Sequence, residues 1–160
     1  FKLLADYHGV PVEDDRYTPA WEYANANKLP VLMHTWAGSA YDGFPNIQKV
    51  CEKYPDAQKL VGHSIHGDIE KAVYLATQYP NTYLEQCAIL DERGIVEQFV
   101  EKAGSDKIVF GTDFPWFSEH YYVGALFGAG LSDEDIRNIL YKNAQKILNG
   151  LVPDEFISTP

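Results

Sequence analysis

The chain has 160 residues, enough for one domain with a substantial core. Its hydrophobic content of 46% and charged content of 22% are typical of a globular protein and argue against disorder. The formal net charge of -10 argues against nucleic acid and anionic membrane surfaces as partners, because both bind through basic patches. No apolar run approaches the roughly 18 residues of a membrane-spanning helix. Cys51 and Cys87 form no disulfide framework, so we predict a reduced, cytoplasmic setting.

Short apolar runs alternate with helical patterns along the whole chain. The runs are rich in β-branched and aromatic residues and are bounded by Gly, Pro or polar residues, which is typical of short buried strands. We predict five strands, at residues 1–5, 31–34, 59–63, 82–85 and 107–113. Predicted helices begin at Thr18, Asn46, Asp68, Asp91 and Ser132. Residues 117–130 are predicted as an ordered loop with a short helix, the last helix is expected to stop at Gly150, and residues 151–160 are predicted as a tail.

Capping residues and apolar periodicity set the predicted helix starts. Thr18 is expected to be an N-cap, because proline follows it at the first helical position. Asn46 is expected to cap the next helix, whose apolar residues recur at i, i+3, i+4 and i+7. Asp68 is assigned the same role one helix later. Ser132 and Asp135 have the spacing of a capping box.

Five strand–helix units in succession indicate a parallel sheet. Two architectures fit this pattern. An eight-stranded α/β barrel of about 250 residues uses roughly 31 residues per unit, so five units occupy about 155 residues, close to this length. A doubly wound five-stranded sheet also fits the count. No glycine-rich loop follows the first strand and no dinucleotide fingerprint is present, which disfavours the nucleotide-binding form of the open sheet.

Ionisable residues stand at the ends of four successive predicted strands. They are His34, His63, Glu85 and Asp113, at intervals of 29, 22 and 28 residues. The C-terminal ends of parallel strands meet at one edge of the sheet, and this edge carries the chemistry in α/β enzymes. Two imidazoles and a carboxylate that converge there suit zinc or a similar divalent ion. They also suit acid–base catalysis near neutral pH.

Each of these residues also has a structural interpretation. A single histidine at a strand end is more often a hydrogen-bonded core residue than a ligand, and Asp113 could simply start a turn before a proline. Glu85 is compatible with a substrate contact or with a buried salt bridge. Gly111 leaves room for another backbone or a ligand. The remaining histidines are expected in loops or in the aromatic segment, solvated or supporting the site; they are His8, His66 and His120.

Four short motifs occur in a fixed order along the chain. They are PVLMHT at residues 30–35, VGHS at 61–64, FGTDFP at 110–115 and KNAQKIL at 142–148. Together they resemble the amidohydrolase superfamily, in the branch of amidohydrolase-related metal-dependent hydrolases that also contains decarboxylases. Residues 1–4 resemble the fourth strand of that family. The resemblance implies that residues 1–150 form the C-terminal five-eighths of a (β/α)8 barrel, from its fourth strand to its eighth.

The same resemblance implies roles for the strand-end residues. His34 would be the fifth-strand metal ligand, and Asp113 the eighth-strand carboxylate that both binds metal and shuttles protons. His63 would activate a water molecule or polarise the substrate. The implied cofactor is a divalent metal, with zinc expected. Glu85 and nearby aromatic residues would line a pocket for a small carboxylated or cyclic substrate; the aromatic residues are Trp36, Phe114, Trp116 and Tyr121.

The chain also departs from the family pattern. The family's first strand carries a His-x-His pair that completes the metal site, and no His-x-His occurs here. His34 and Asp113 alone make a poor zinc site, so the metal could be missing from this chain. Two unpaired sheet edges imply self-association or a missing N-terminal segment that completes the barrel. The sequence favours a metal-dependent hydrolase or decarboxylase, with a non-catalytic barrel fragment as the alternative and another enzyme on an open sheet as a third interpretation.

Overall fold

The computed structural model of the chain describes residues 1–88, 92–149 and 151. The predicted helix start at Asp91, the predicted stop at Gly150 and residues 152–160 of the predicted tail therefore lie outside the described residues. Within the described part, no helix is long and apolar enough to cross a membrane.

Five parallel strands form one sheet, in which each strand pairs with the next strand along the chain. The strands are β1 (Lys2–Leu3), β2 (Pro30–Trp36), β3 (Gln58–His66), β4 (Thr82–Glu85) and β5 (Ile108–Val109). A doubly wound sheet reverses its strand order at a switch point. The order here runs from β1 to β5 without reversal, which is the order of a barrel segment.

Helices connect the strands and cover one face of the sheet. They are α1 (Ala5–His8), α2 (Thr18–Ala26), α3 (Phe44–Lys53), α4 (Ile69–Gln78), α5 (Ile95–Ala103), α6 (Glu119–Gly128), α7 (Asp133–Arg137) and α8 (Asn143–Leu148). Short 3₁₀ turns occupy Asp15–Tyr17 and Ser105–Lys107. A π-helical turn, Asn138–Lys142, joins α7 to α8, so the predicted last helix is continuous but not uniformly α-helical.

The two faces of the sheet have different environments. Along β2, Val31, Met33 and Thr35 are fully buried, and the two apolar side chains belong to the main core with Trp21 of α2. The alternate residues of β2 are only half-buried. Successive strand residues point to opposite faces. His34 therefore lies on the face that the helices do not cover.

Several predicted boundaries are wrong at the level of single residues. Helix α2 begins at Thr18 itself, whose hydroxyl is buried without a hydrogen-bond partner, so Thr18 is not the cap. Helix α3 begins before Asn46, and the Asn46 side chain donates to Glu13 instead. Asp68 and Ser132 do cap their helices, because each accepts a backbone N–H three residues later. These two caps are confirmed.

Several segments differ from their predicted lengths. Strand β1 covers only Lys2–Leu3 of the predicted residues 1–5, and β2 extends to Trp36. Strand β5 ends at Val109, and the Phe110 N–H donates to the carbonyl of Ile139 instead of extending the strand. Strand β3 continues to His66, which was predicted in a loop. Helix α1 lies in a stretch that the sequence showed only as polar. The aromatic segment contains the ten-residue helix α6, which is longer than the short helix predicted there.

Candidate active site

A cavity of about 480 Å³ lies along the face of the sheet opposite the main core and extends from Pro30 at the start of β2 to Asp113. His34, His63, Glu85 and Asp113 all line it. The backbone supplies part of the wall, and α8 closes one side with Ala144, Ile147 and Leu148. The structure thus brings the four predicted strand-end residues to one cavity. Their individual roles stay predictions.

His34 is held by a carboxylate from the loop after β2. Its Nδ1 lies 2.7 Å from Oδ2 of Asp42, whose side chain is completely buried. A buried carboxylate beside Nδ1 favours the tautomer with the proton on that nitrogen. Nε2 is then left with a free lone pair, which is how metal-binding histidines are oriented in proteins.

His63 lies in a strained backbone segment. His63, Ser64 and Ile65 have φ values of 62°, 47° and 52°, in the left-handed region that non-glycine residues rarely adopt. Thr35 of β2 stabilises this segment, since its hydroxyl donates to the carbonyl of Gly62 and accepts the N–H of Ile65. Left-handed non-glycine residues cluster at functional sites. The strain turns the His63 side chain toward the cavity.

Glu85 anchors the same segment from the neighbouring strand. Its carboxylate accepts the backbone N–H of His63 and of Cys87, each at 3.3 Å. The Cys87 thiol donates to it at 2.7 Å and lies 3.1 Å from Nδ1 of His63. Among the described residues, no lysine or arginine pairs with Glu85, so it is not the buried salt bridge considered from the sequence. It reaches the cavity wall as part of a network that orients His63.

Gly111 is needed for that network. A Cβ at this position would overlap Oε1 of Glu85 and lie 2.5 Å from its Cδ. The sequence predicted room here for a backbone or a ligand. The space is filled by the Glu85 carboxylate instead.

Asp113 lies four residues after β5 and also has a left-handed backbone, with φ of 54°. Its side chain is 20% exposed, and Oδ1 lies 4.0 Å from Nζ of Lys2. Lys2 lines the same cavity. The cavity therefore contains a carboxylate and a cationic side chain close together.

Burial and neighbouring charges shift three pKa values in the site. Desolvation, followed by the nearby His34, lowers the pKa of His63 and favours the neutral imidazole. Desolvation raises the pKa of Glu85. Desolvation and the adjacent Glu85 carboxylate raise the pKa of the Cys87 thiol, which stays protonated.

Two of the four predicted aromatic residues lie around a second, adjoining cavity of about 470 Å³. Trp36 and Trp116 line it together with His34, His63 and Asp113, while Phe114 lines the first cavity. Tyr121 lines neither of these two cavities and instead lines a separate pocket between α5 and α6. The Trp36 ring stacks on His34, with centroids 6.2 Å apart. Phe114 and Trp116 are 71% and 81% exposed, so they form an open rim.

The residues present fit a divalent cation. Imidazole nitrogen and carboxylate oxygen are the usual ligands of zinc and related ions, and His34 and Asp113 supply them at one cavity. The buried Asp42 gives the outer hydrogen bond that such a ligand needs. Sequence reasoning missed Asp42, Cys87 and Lys2. Of these only Asp42 had a usable signal, as an acidic residue in the loop after a strand-end histidine.

Comparison with known proteins agrees with this fold. The family model described as Amidohydrolase matches residues 1–150. The chain belongs to the amidohydrolase family. The sequence-based assignment to this family is thereby confirmed, and with it membership of a family that contains enzymes. No curated protein matches the sequence.

Solved structures with the same fold include an uncharacterized TIM-barrel protein from Bordetella bronchiseptica, with a TM-score of 0.76 and 23% identity over 87% of this chain and 52% of that one. A 2,6-dihydroxybenzoate decarboxylase from Rhizobium matches with a TM-score of 0.66 and 14% identity, over 86% and 56%. A dihydroxybenzoic acid decarboxylase from a Polaromonas species, determined with manganese and 2-nitroresorcinol, matches with a TM-score of 0.68 and 18% identity, over 92% and 58%. The amidohydrolase chain is therefore a partial TIM barrel, and it spans little more than half the length of these proteins.

Proposed function

We propose that this amidohydrolase chain carries the C-terminal part of the active site of a metal-dependent enzyme that hydrolyses or decarboxylates a small carboxylated or cyclic substrate. The observation that carries the proposal is the buried Asp42–His34 pair at a cavity shared with His63 and Asp113. The completely buried Asp42 carboxylate accepts the backbone N–H of Asp6 and also fixes the orientation of an imidazole that lines the cavity. This is the arrangement that a metal-binding histidine requires.

His34 and Asp113 would hold the cation. When bound, a divalent cation polarises a substrate carbonyl or carboxyl group and makes a water molecule a stronger nucleophile. Zinc stays a prediction. The decarboxylase determined with manganese makes manganese an equal candidate.

His63 would act as the proton-transfer group. Its Nδ1 faces the Cys87 thiol and carbonyl, so Nε2 is the nitrogen left for the cavity. The lowered pKa keeps this imidazole neutral near pH 7, in the form that accepts a proton. Asp113 would take up or deliver a second proton.

The lining of the two cavities supports a substrate that combines a flat apolar body with a negative charge. Trp36 and Phe114 offer aromatic surface, and Lys2 offers a positive charge. A carboxylate bound between Lys2 and the cation would lie next to His63. We propose Glu85 as a support of this wall, since its oxygens already accept three hydrogen bonds.

The non-catalytic barrel fragment stays the alternative, favoured by one observation: only two ligands of the proposed cation come from the described residues. The test is to dialyse the purified chain against manganese, measure bound metal by atomic emission, and assay 2,6-dihydroxybenzoate and related aromatic carboxylates for loss of CO₂. Bound metal that is absent from His34→Asn, together with turnover, supports the enzyme. A chain that binds no metal and turns over nothing supports the alternative.

A further inference from the structure

A second set of metal-ligand atoms lies beside the proposed cation site and is distinct from it. Nδ1 of His63, Sγ of Cys87 and a carboxylate oxygen of Glu85 all lie within 4.8 Å of one another. The thiol is at the centre, 2.7 Å from Oε2 of Glu85 and 3.1 Å from Nδ1 of His63. All three residues are buried, with exposures of 6%, 4% and 8% for His63, Cys87 and Glu85.

This cluster uses none of the atoms assigned to the first cation. His34 and Asp113 are not part of it, and His63 contributes the ring nitrogen that faces away from the proposed chemistry. One imidazole, one thiolate and one carboxylate are three ligands of the kind that zinc binds, and three protein ligands are the usual number where a fourth position stays open. His63, Glu85 and Cys87 also line the cavity, so an ion can enter and a water molecule can complete its coordination.

We propose that Cys87, His63 and Glu85 form a second cation site, selective for a thiophilic divalent ion such as zinc, cadmium or cobalt. On binding, the thiol proton that now bridges Cys87 to Glu85 is released to solvent, and the Nδ1 proton of the neutral His63 moves to Nε2 through solvent. Sulfur, Nδ1 and oxygen then each donate a lone pair to the ion. Zinc–sulfur and zinc–oxygen bonds of roughly 2.3 and 2.0 Å place the two ligand atoms about 3.5 Å apart in a tetrahedral site. The Cys87–Glu85 pair therefore opens by less than about 1 Å.

The charges around the cluster favour a cation. Glu85 contributes a carboxylate directly, and Asp113 is close enough for its charge to act on both Glu85 and Cys87. A divalent ion would relieve the mutual repulsion of these groups. Hard ions such as magnesium and calcium prefer oxygen ligands, so the sulfur sets the selectivity of the site.

Given the proposed function, an ion at this second site also changes proton transfer by His63. An ion on Nδ1 keeps the proton of the neutral imidazole on Nε2, so Nε2 has no lone pair left to accept a proton. Zinc in excess of the first site would therefore inhibit proton transfer by His63. Manganese, which binds thiolate more weakly, would not.

The test uses cobalt(II), whose bond to a thiolate gives a near-ultraviolet charge-transfer absorption. The whole chain is titrated under reducing, anaerobic conditions, beside the variants Cys87→Ser, Cys51→Ser and His34→Asn. Cys51 is the matched control, because it is also buried but its nearest polar partner is the hydroxyl of Thr82 at 3.6 Å. The proposal expects the absorption in the wild type, in Cys51→Ser and in His34→Asn, and its loss in Cys87→Ser.

A wild-type chain without the absorption, or a Cys87→Ser chain that keeps it, overturns the proposal. Zinc-edge X-ray absorption of the wild-type chain needs no variant, and it should show one sulfur at roughly 2.3 Å. A zinc-loaded chain with only nitrogen and oxygen neighbours also overturns the proposal. The two proposals fail in different ways. If His34 and Asp113 bind no cation, the chain lacks the metal that depends on His34 but still shows the cobalt–thiolate absorption.

Discussion

Replacing Gly111 by alanine tests whether the Glu85 carboxylate organises the site. The new Cβ would lie 1.4 Å from Oε1 of Glu85 and 2.5 Å from its Cδ. Atoms that are not bonded need at least about 3 Å, so the carboxylate must move by roughly 1.5 Å or more. That movement breaks the 3.3 Å hydrogen bonds from the N–H groups of His63 and Cys87. Hydrogen bonds to charged groups contribute roughly 1.5–3 kcal/mol each, so we expect the free energy of unfolding to fall by about 3 kcal/mol.

The assay is urea unfolding followed by circular dichroism, with Gly124→Ala as the matched control. Gly124 lies in α6, where an added Cβ meets nothing within 4 Å, so that change should stabilise the chain by roughly 0.5–1 kcal/mol. In a Glu85→Ala background, the Gly111 replacement should lose most of its effect, because the clashing atoms are gone. A Gly111→Ala chain as stable as the wild type would refute the packing of Glu85 on Gly111.

Three further predictions concern catalysis, pH and assembly. In a complete barrel, Asp113→Asn should reduce turnover by roughly 10²–10⁴-fold or more while the fold stays intact, because an amide is neither a base nor an anionic ligand. Near wild-type turnover would show that Asp113 only forms a turn. Because burial lowers the pKa of His63 below 6.5, the unfolded chain binds more protons between that lowered pKa and pH 6.5. The contribution of His63 to the free energy of unfolding is therefore complete above pH 6.5 and falls as pH drops through this window, and His63→Asn should lack that part of the pH dependence. An imidazole titration by NMR with a His63 midpoint at or above 6.5 would contradict this. Strands β1 and β5 leave unpaired edges in the described sheet, so the isolated chain should self-associate, and light scattering that shows a dilution-resistant monomer would count against it.

The sequence predicted the repeating part of the fold well, because local patterns determine it. Strand β4 occurs at the predicted residues 82–85, and β2 and β3 contain the predicted runs. Asp68 and Ser132 cap helices through contacts three residues away, which a local pattern can show. Strand β5 is shorter than predicted because Phe110 bonds to Ile139, a contact from a distant segment that no local pattern contains.

The site was predictable only where an ionisable residue followed a run of apolar strand residues. His34 and His63 interrupt apolar runs, and an ionisable residue at such a position indicates a functional site. Asp42 had only its place in the loop after β2 as a signal, and Cys87 had none, because their roles arise from contacts made across 8 and 24 residues of chain. The left-handed turn at His63 is likewise invisible, because it contains no glycine and is stabilised by Thr35 and Glu85 on the neighbouring strands.

Metal affinity measured on matched variants tests the central claim, that His34 is a metal ligand oriented by Asp42. Manganese(II) is titrated into the metal-free chain, and the free ion is followed by electron paramagnetic resonance. The account predicts binding by the wild type, its loss in His34→Asn, and roughly 10–100-fold weaker binding in Asp42→Asn. His8→Asn is the control, because His8 is exposed and bonds to Tyr17 away from both cavities, and it should bind as the wild type does. Equal affinity in the wild type, His34→Asn and Asp42→Asn would contradict the account.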